Sequence, residues 1–291
     1  MKTIQDGFRE FEDQLTTPKQ ESLSARQHRA SIEACLKQNF GLEGFFQSGS
    51  FGNGTNIPVH SDVDRFAVIP AENLPKHSVQ ALRNIRNALA KRFRTTAGIR
   101  IKPPAIVIPF GIEGLETTEI IPAYVAATRA GHKVYAIPNP AGGPKWILSA
   151  PQALTDYIND VNAKNNHKLK PLIRFVKAWK YQRKVPLQSL YIELVCAAMA
   201  RDIGLHTPSV DIARILNFIL MTRLADAHDP FGISDPICAS PRPSDRDEAQ
   251  RKLQAGAVMA MRAVTAELQW RLRPAFRCWK TLFGQRFPNS D

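Results

Sequence analysis

Cysteine is sparse in this chain of 291 residues: Cys35, Cys196, Cys238 and Cys278 stand far apart, and no C-x-x-C pair occurs. That spacing gives neither a zinc knuckle nor a disulfide scaffold, and it fits a reducing compartment. Long apolar runs are also missing; none approaches the roughly 18 residues that span a bilayer. The first residues, "MKTIQDGFREFEDQLTT", hold no apolar stretch of the kind a secretory signal needs. A soluble cytoplasmic protein with no membrane partner is therefore expected. Acid is in short supply, with 26 Asp and Glu against 39 Lys and Arg and a formal net charge of +13. Such a balance favours polyanions: nucleotides, nucleic acid or anionic lipid. No internal repeat, RNA-binding signature or basic tract interleaved with aromatics is found.

What is present reads as two unlike halves. "ESLSARQHRASIEACLKQNF" carries Leu23, Ile32, Cys35 and Leu36 at helical spacing, and "VQALRNIRNALAKRF" does the same with Leu82, Ile85, Leu89 and Phe93. Between them "GLEGFFQSGSFGNGTN" is turn chemistry, and "DVDRFAVIP" is a strand that Pro70 ends. "PPAIVIPFGIEGLETTEIIPAYV" reads as two strands about a glycine-containing turn, the second closed by Pro122. Ser149 with Pro151 signals a helix start, and helices dominate from there, broken by the proline-rich "ADAHDPFGISDPICASPRPSD". The expected fold is α+β: a lobe with a mixed sheet and N-terminal helices over residues 1–150, and a helical lobe over 151–291 closing a cleft of the kind that takes ligands.

Chemistry concentrates in one stretch, "GSFGNGTNIPVHSDVDRFAV". On a strand, side chains alternate, so Asp62, Asp64, Phe66 and Val68 share one face, while Val63, Arg65, Ala67 and Ile69 share the other. Two adjacent carboxylates repel unless a cation joins them, and their oxygens suit Mg²⁺, with Mn²⁺ as the alternative. Upstream, Gly49, Gly52 and Gly54 allow close backbone approach, and Ser50 and Thr55 add hydroxyls, which together make an anion-binding turn. Glu119, at the start of a β-branched run, is the favoured third acid, ahead of Glu116 and Glu113. Three acids would hold two ions, one activating the attacking oxygen and one steadying the leaving oxygen. His60 is read as a loop residue and Cys196 as core. Asp229 is read as a loop or helix cap in preference to a base contact.

"GSFGNGT" followed by "SDVD" and "TEIIPAY" resembles the nucleotidyltransferase superfamily of DNA polymerase β type. More narrowly it resembles the bacterial cGAS/DncV-like nucleotidyltransferases, the SMODS group. "GGPKWILSAP", "KLKPLIRFVKAWK", "VPLQSLYIELV" and "DPFGISDP" extend the likeness over roughly residues 40–240. The resemblance implies an enzyme that joins nucleoside triphosphates (ATP, GTP or others) into a cyclic oligonucleotide signal for antiphage defence, read by a downstream effector. It implies that Gly49 and Ser50 hold triphosphate, that Asp62, Asp64 and Glu119 hold Mg²⁺, that Lys177 meets the phosphates and that Ser189 touches the donor nucleotide. Two departures stand out: Leu190 occupies a position that is often aromatic in the family, and Glu119 one that is usually Asp. A monomer that needs no nucleic acid is expected. The rival readings are transfer to an RNA 3′ end or a small molecule, and a non-catalytic nucleotide or nucleic-acid binding module.

Overall fold

The computed structural model describes residues 2–16, 23–58, 63–110, 116–240 and 242–290, with Glu116 described through its backbone only. A seven-stranded mixed sheet carries the first part of the chain. Its strands are β1 (Gly44–Gln47), β2 (Val63–Val68), β3 (Arg100–Lys102), β4 (Ala105–Phe110), β5 (Glu116–Arg129), β6 (His132–Pro138) and β7 (Trp146–Ser149). One path through it runs β1-β2-β5-β4-β3, and the far half of β5 pairs with β6, which pairs with β7. All pairings are antiparallel except β2 with β5.

β5 continues through Pro122 rather than ending there. β4 pairs with β5 only as far as Ile120 and β6 begins at Tyr124, so on that edge Pro122 falls where no partner strand needs an N–H. Alternation along β2 sorts its side chains as expected. Ala67 and Ile69 pack with Ile106, Ile108 and Ile120 beneath helices α2 (Leu23–Phe40) and α4 (Ser78–Arg92), through Ile32, Leu36, Leu82 and Ile85. Phe66 and Val68 face the other way, into a small cluster with Ala123, Tyr135 and Ile137. Arg65 is buried, its guanidinium 5.6 Å from the centre of the Phe45 ring.

Helices α5 (Pro151–Lys164), α6 (Leu169–Gln182), α7 (Ser189–Ile203), α8 (Pro208–Met221), α9 (Arg246–Leu268) and α10 (Leu272–Phe283) build the second core. Pro151 opens α5 at its first position, but the cap is Ala150, because Ser149 is held in β7. The C-terminal helical stretch is a pair, with Trp270 between α9 and α10 at φ +57°.

Helix α1 (Ile4–Leu15) crosses the expected boundary. It is capped by Thr3, whose side chain accepts from the Asp6 N–H while the Asp6 carboxylate accepts from the Thr3 N–H, so two orphan donors are satisfied at once. Its Phe8 and Phe11 then enter the helical core. Phe8 meets Phe175, Trp279 and Phe287 edge-on at 5.1–5.2 Å, and Phe11 stacks on Phe175 at 5.8 Å. Truncating such a ring typically costs ~3–5 kcal/mol. The first residues thus belong by packing to the helical core, although the sequence places them with the sheet. Among the described residues, no helix is long and apolar enough to cross a membrane.

Candidate functional site

The parallel pairing of β2 with β5 places Asp64 directly beside Glu119. Register partners in neighbouring strands project from the same face. That face is the one carrying Phe66 and Val68, away from α2 and α4. The row continues to Val107 of β4, the register partner of Glu119 on its other side. Asp62 and His60 lie outside the described residues, as do Glu113 and the side chain of Glu116. By backbone register Glu116 pairs with Phe110, three positions from the Asp64–Glu119 pair.

The glycine-rich stretch closes on this pair. It forms a four-residue helix, α3 (Gly49–Gly52), in place of an open loop. The Ser48 N–H donates to the Asp64 carbonyl at 2.9 Å. Gly49 sits at φ +61°, and a Cβ built on it would lie 2.1 Å from Asp64 Oδ2. The carboxylate therefore rests against bare backbone that only glycine supplies. The N–H groups of Gly52, Asn53, Gly54 and Thr55 are consumed in closing the turn. Among the described residues no backbone carbonyl takes those of Gly49 and Ser50.

Lys102, at the end of β3, donates to Glu119 Oε1 at 2.9 Å; its side chain is 61% exposed and that of Glu119 13%. The acids thus already hold a cation. Two carboxylates on one face, one of them paired with an ammonium group, are hard oxygen donors that fit a divalent ion such as Mg²⁺. Among the described residues, no group of three His, Cys, Asp or Glu side chains stands ready to hold a metal, which leaves Asp64 and Glu119 as the described pair. An exposed lysine contact is worth at most about 1 kcal/mol and yields to a divalent competitor. Lys102→Met is therefore expected to tighten Mn²⁺ binding several-fold, read by calorimetric titration of the protein alone. Unchanged affinity would show that Lys102 does not compete for Glu119.

Behind the turn lies a buried polar network. Glu193 on α7 accepts from Thr55 Oγ1 at 2.6 Å and from Asn53 Nδ2 at 2.7 Å. It also pairs with Lys177 of α6, whose Nζ further donates to the Thr55 carbonyl at 3.2 Å and to Thr55 Oγ1 at 3.1 Å. Lys177 and Glu193 side chains are 1% and 3% exposed. Thr155 of α5 donates to Asn53 Oδ1 at 2.6 Å, and Arg174 donates to the Gly54 carbonyl at 2.9 Å. Lys177 and Thr55 therefore differ from the phosphate-binding residues expected of them. Every N–H of the ammonium group and the threonine hydroxyl are committed to protein partners, and both side chains are shut off from solvent. Glu193 escaped the sequence reading. Its signal was a lone acid inside "YIELVCAAMA", a composition that demands a buried cation nearby.

The next rung of the same two helices carries Ser189, whose Oγ accepts from Lys180 Nζ at 2.9 Å and lies 3.3 Å from Tyr181 Oη. Burial pushes the Lys180 ammonium down to about 8, with neighbouring Lys177 adding to the shift. Leu190 packs on the helical core and Tyr191 is 1% exposed, so neither offers a ring to a base. Burial also raises the Tyr191 phenol to about 12. Cys196 is fully buried, which drives its thiol further from ionisation, as a core residue requires. Asp229 caps its own loop, accepting from the N–H groups of Phe231, Ile233 and Ser234. A cavity of about 550 Å³ lies elsewhere, between α8, α9 and α10, lined in part by Leu220, Val258 and Met261.

Comparison with known proteins narrows this geometry. The family profile of the Second Messenger Oligonucleotide or Dinucleotide Synthetase domain, SMODS, matches residues 1–162. No curated protein matches the chain. Among solved structures, CdnC of E. coli MS115-1 with ATP superposes with a TM-score of 0.76 at 17% identity, covering 98% of this chain and 99% of that one. The same CdnC in complex with HORMA-deltaN gives 0.75 at 16% identity, with 98% of each chain covered. Vibrio cholerae DncV, a cyclic AMP-GMP synthase with a linear intermediate bound, gives 0.68 at 14% identity over 98% of this chain and 87% of that one. These likenesses establish an α+β nucleotidyltransferase fold shared along nearly the whole chain. With the SMODS profile spanning more than half of its 291 residues, the chain belongs to the SMODS family of second-messenger oligonucleotide and dinucleotide synthetases.

Proposed function

We propose that this protein joins nucleoside triphosphates, ATP among them, into a cyclic di- or trinucleotide messenger. The observation that carries the reading is the pairing of Asp64 with Glu119 on one sheet face, with Gly49 packed against the Asp64 carboxylate. Asp64 and Glu119, joined by Asp62, are the residues to hold Mg²⁺. When bound, the ions would offset triphosphate charge and lower the pKa of the attacking ribose hydroxyl. The chain itself supplies positioning. The N–H groups of Gly49 and Ser50 receive the donor phosphates, and Ser189 with Lys180 extends that contact along the triphosphate. A ribose hydroxyl of the second nucleotide attacks the donor α-phosphorus, forming the new P–O bond as the bond to pyrophosphate breaks. A second transfer closes the ring. Residues 151–291 cover the nucleotides and keep the linear intermediate in place between the two steps.

The product is read as a signal to a downstream effector in antiphage defence, in keeping with the family's second-messenger chemistry. Complex formation between CdnC and HORMA-deltaN motivates a search for a protein partner here as well. The test is mass spectrometry of products made from all four NTPs with Mg²⁺, with and without RNA. A phosphatase-resistant oligonucleotide ring formed without RNA is expected. Extension of RNA 3′ ends, with no small product, would instead assign the site to polymer tailing.

A further inference from the structure

Three consecutive residues of the donor turn are gripped from the helical lobe. The Asn53 amide bridges Glu193 and Thr155, the Gly54 carbonyl accepts from Arg174, and both the hydroxyl and the carbonyl of Thr55 meet Lys177. Backbone bonds from the turn to its own base are few. Asn53, Gly54 and Thr55 close onto Gly49, Phe51 and Ser50, all within the turn itself. The start of the turn is tied to the acid strand through the Ser48 N–H on the Asp64 carbonyl, and its far end, Asn53–Thr55, is held by side chains from α5, α6 and α7. The Glu193 carboxylate is the shared point: both of its oxygens are used, and three different groups donate to it.

We infer that Glu193 is a positioning residue for nucleotide binding, its buried carboxylate setting the Gly49–Thr55 turn in the conformation that receives the donor phosphates. The inference rests on the reading of that turn as the triphosphate cradle. Glu193 touches no substrate; it acts through Asn53, Thr55 and Lys177. A buried ion pair contributes little to stability compared with apolar residues of similar size, whereas its geometry sets a specific local arrangement. Stability and positioning can therefore be separated by experiment.

The informative variant is the double replacement Lys177→Met with Glu193→Leu, which removes both charges together and leaves neither unpaired. It is expected to stay folded, with an unfolding temperature lowered by the Asn53 and Thr55 groups it leaves without partners, while binding a non-hydrolysable ATP analogue at least ~10-fold more weakly, with KM for ATP raised by a similar factor. Thr55→Val, which removes one hydroxyl and keeps the shape, is expected to show a smaller loss in the same direction, with Thr55→Ser restoring binding. A double variant that folds and binds the analogue like the parent overturns the inference. Should the double variant not fold, the Thr55 pair decides: equal binding by Thr55→Val and Thr55→Ser overturns it equally. If the parent itself binds no analogue, the cradle reading fails first, and the role of Glu193 falls with it.

Discussion

Asp64→Asn is expected to lower pyrophosphate release from ATP on the order of 10³-fold or more, the scale seen when a group that stabilises transition-state charge is removed. The side chain keeps its shape, but its charge and one hard oxygen are lost, and an amide nitrogen does not ligate Mg²⁺. Glu119, already engaged by Lys102, is left with Asp62 to gather the cation. Adding Asp62→Asn is expected to leave no measurable product. The unfolding temperature should stay near that of the parent, since Asp64 lies at the edge of the cores, beyond Phe66 and Val68. Activity within ten-fold of the parent in a folded Asp64→Asn protein would remove the carboxylate from the mechanism.

Gly49→Ala should be nearly as damaging, for a different reason. The φ of +61° disfavours any side chain, at a cost of roughly 1–2 kcal/mol. The larger effect is steric, because the added methyl group would overlap Asp64 Oδ2 at 2.1 Å. Either the turn or the carboxylate must move by about an ångström, and misplacement on that scale can cost about 10²-fold in rate. Steady-state kinetics is expected to show loss in both kcat and apparent Mg²⁺ affinity. Retention of both would mean that the turn and Asp64 move independently.

Much of this site was legible in the residues. Alternation along "DVDRFAV" foretold which side chains of β2 share a face, and β-branching after Glu119 placed that acid on a neighbouring strand. Helical spacing located α2 and α4 closely. Missed features share one cause: they depend on partners far apart in the chain. The family resemblance sends Lys177 to the phosphates, and a single helix does not disclose that the next one buries Glu193 against it. Thr55 reads as a free hydroxyl for the same reason. Pro122 reads as a strand end because local rules do not reveal that the strand changes partners there. The allegiance of α1 was hidden too, since Phe8 and Phe11 mark an apolar face without naming the surface that receives it.

That allegiance bears on how the protein can be divided. The chain starts in the helical core, leaves it to build the sheet and the acid pair, then returns to finish the core it left. Phe8 and Phe11 rest on Phe175, and the turn beside Asp64 rests on Lys177 and Glu193, all of which lie beyond the stretch that the family profile spans. A fragment cut at residue 162 would keep Asp62, Asp64 and Glu119 yet strand two phenylalanine rings in water and unlatch the turn. The unit of heredity recognised by sequence and the unit that works as an enzyme therefore do not coincide, and the smallest active piece must include the second half of the chain.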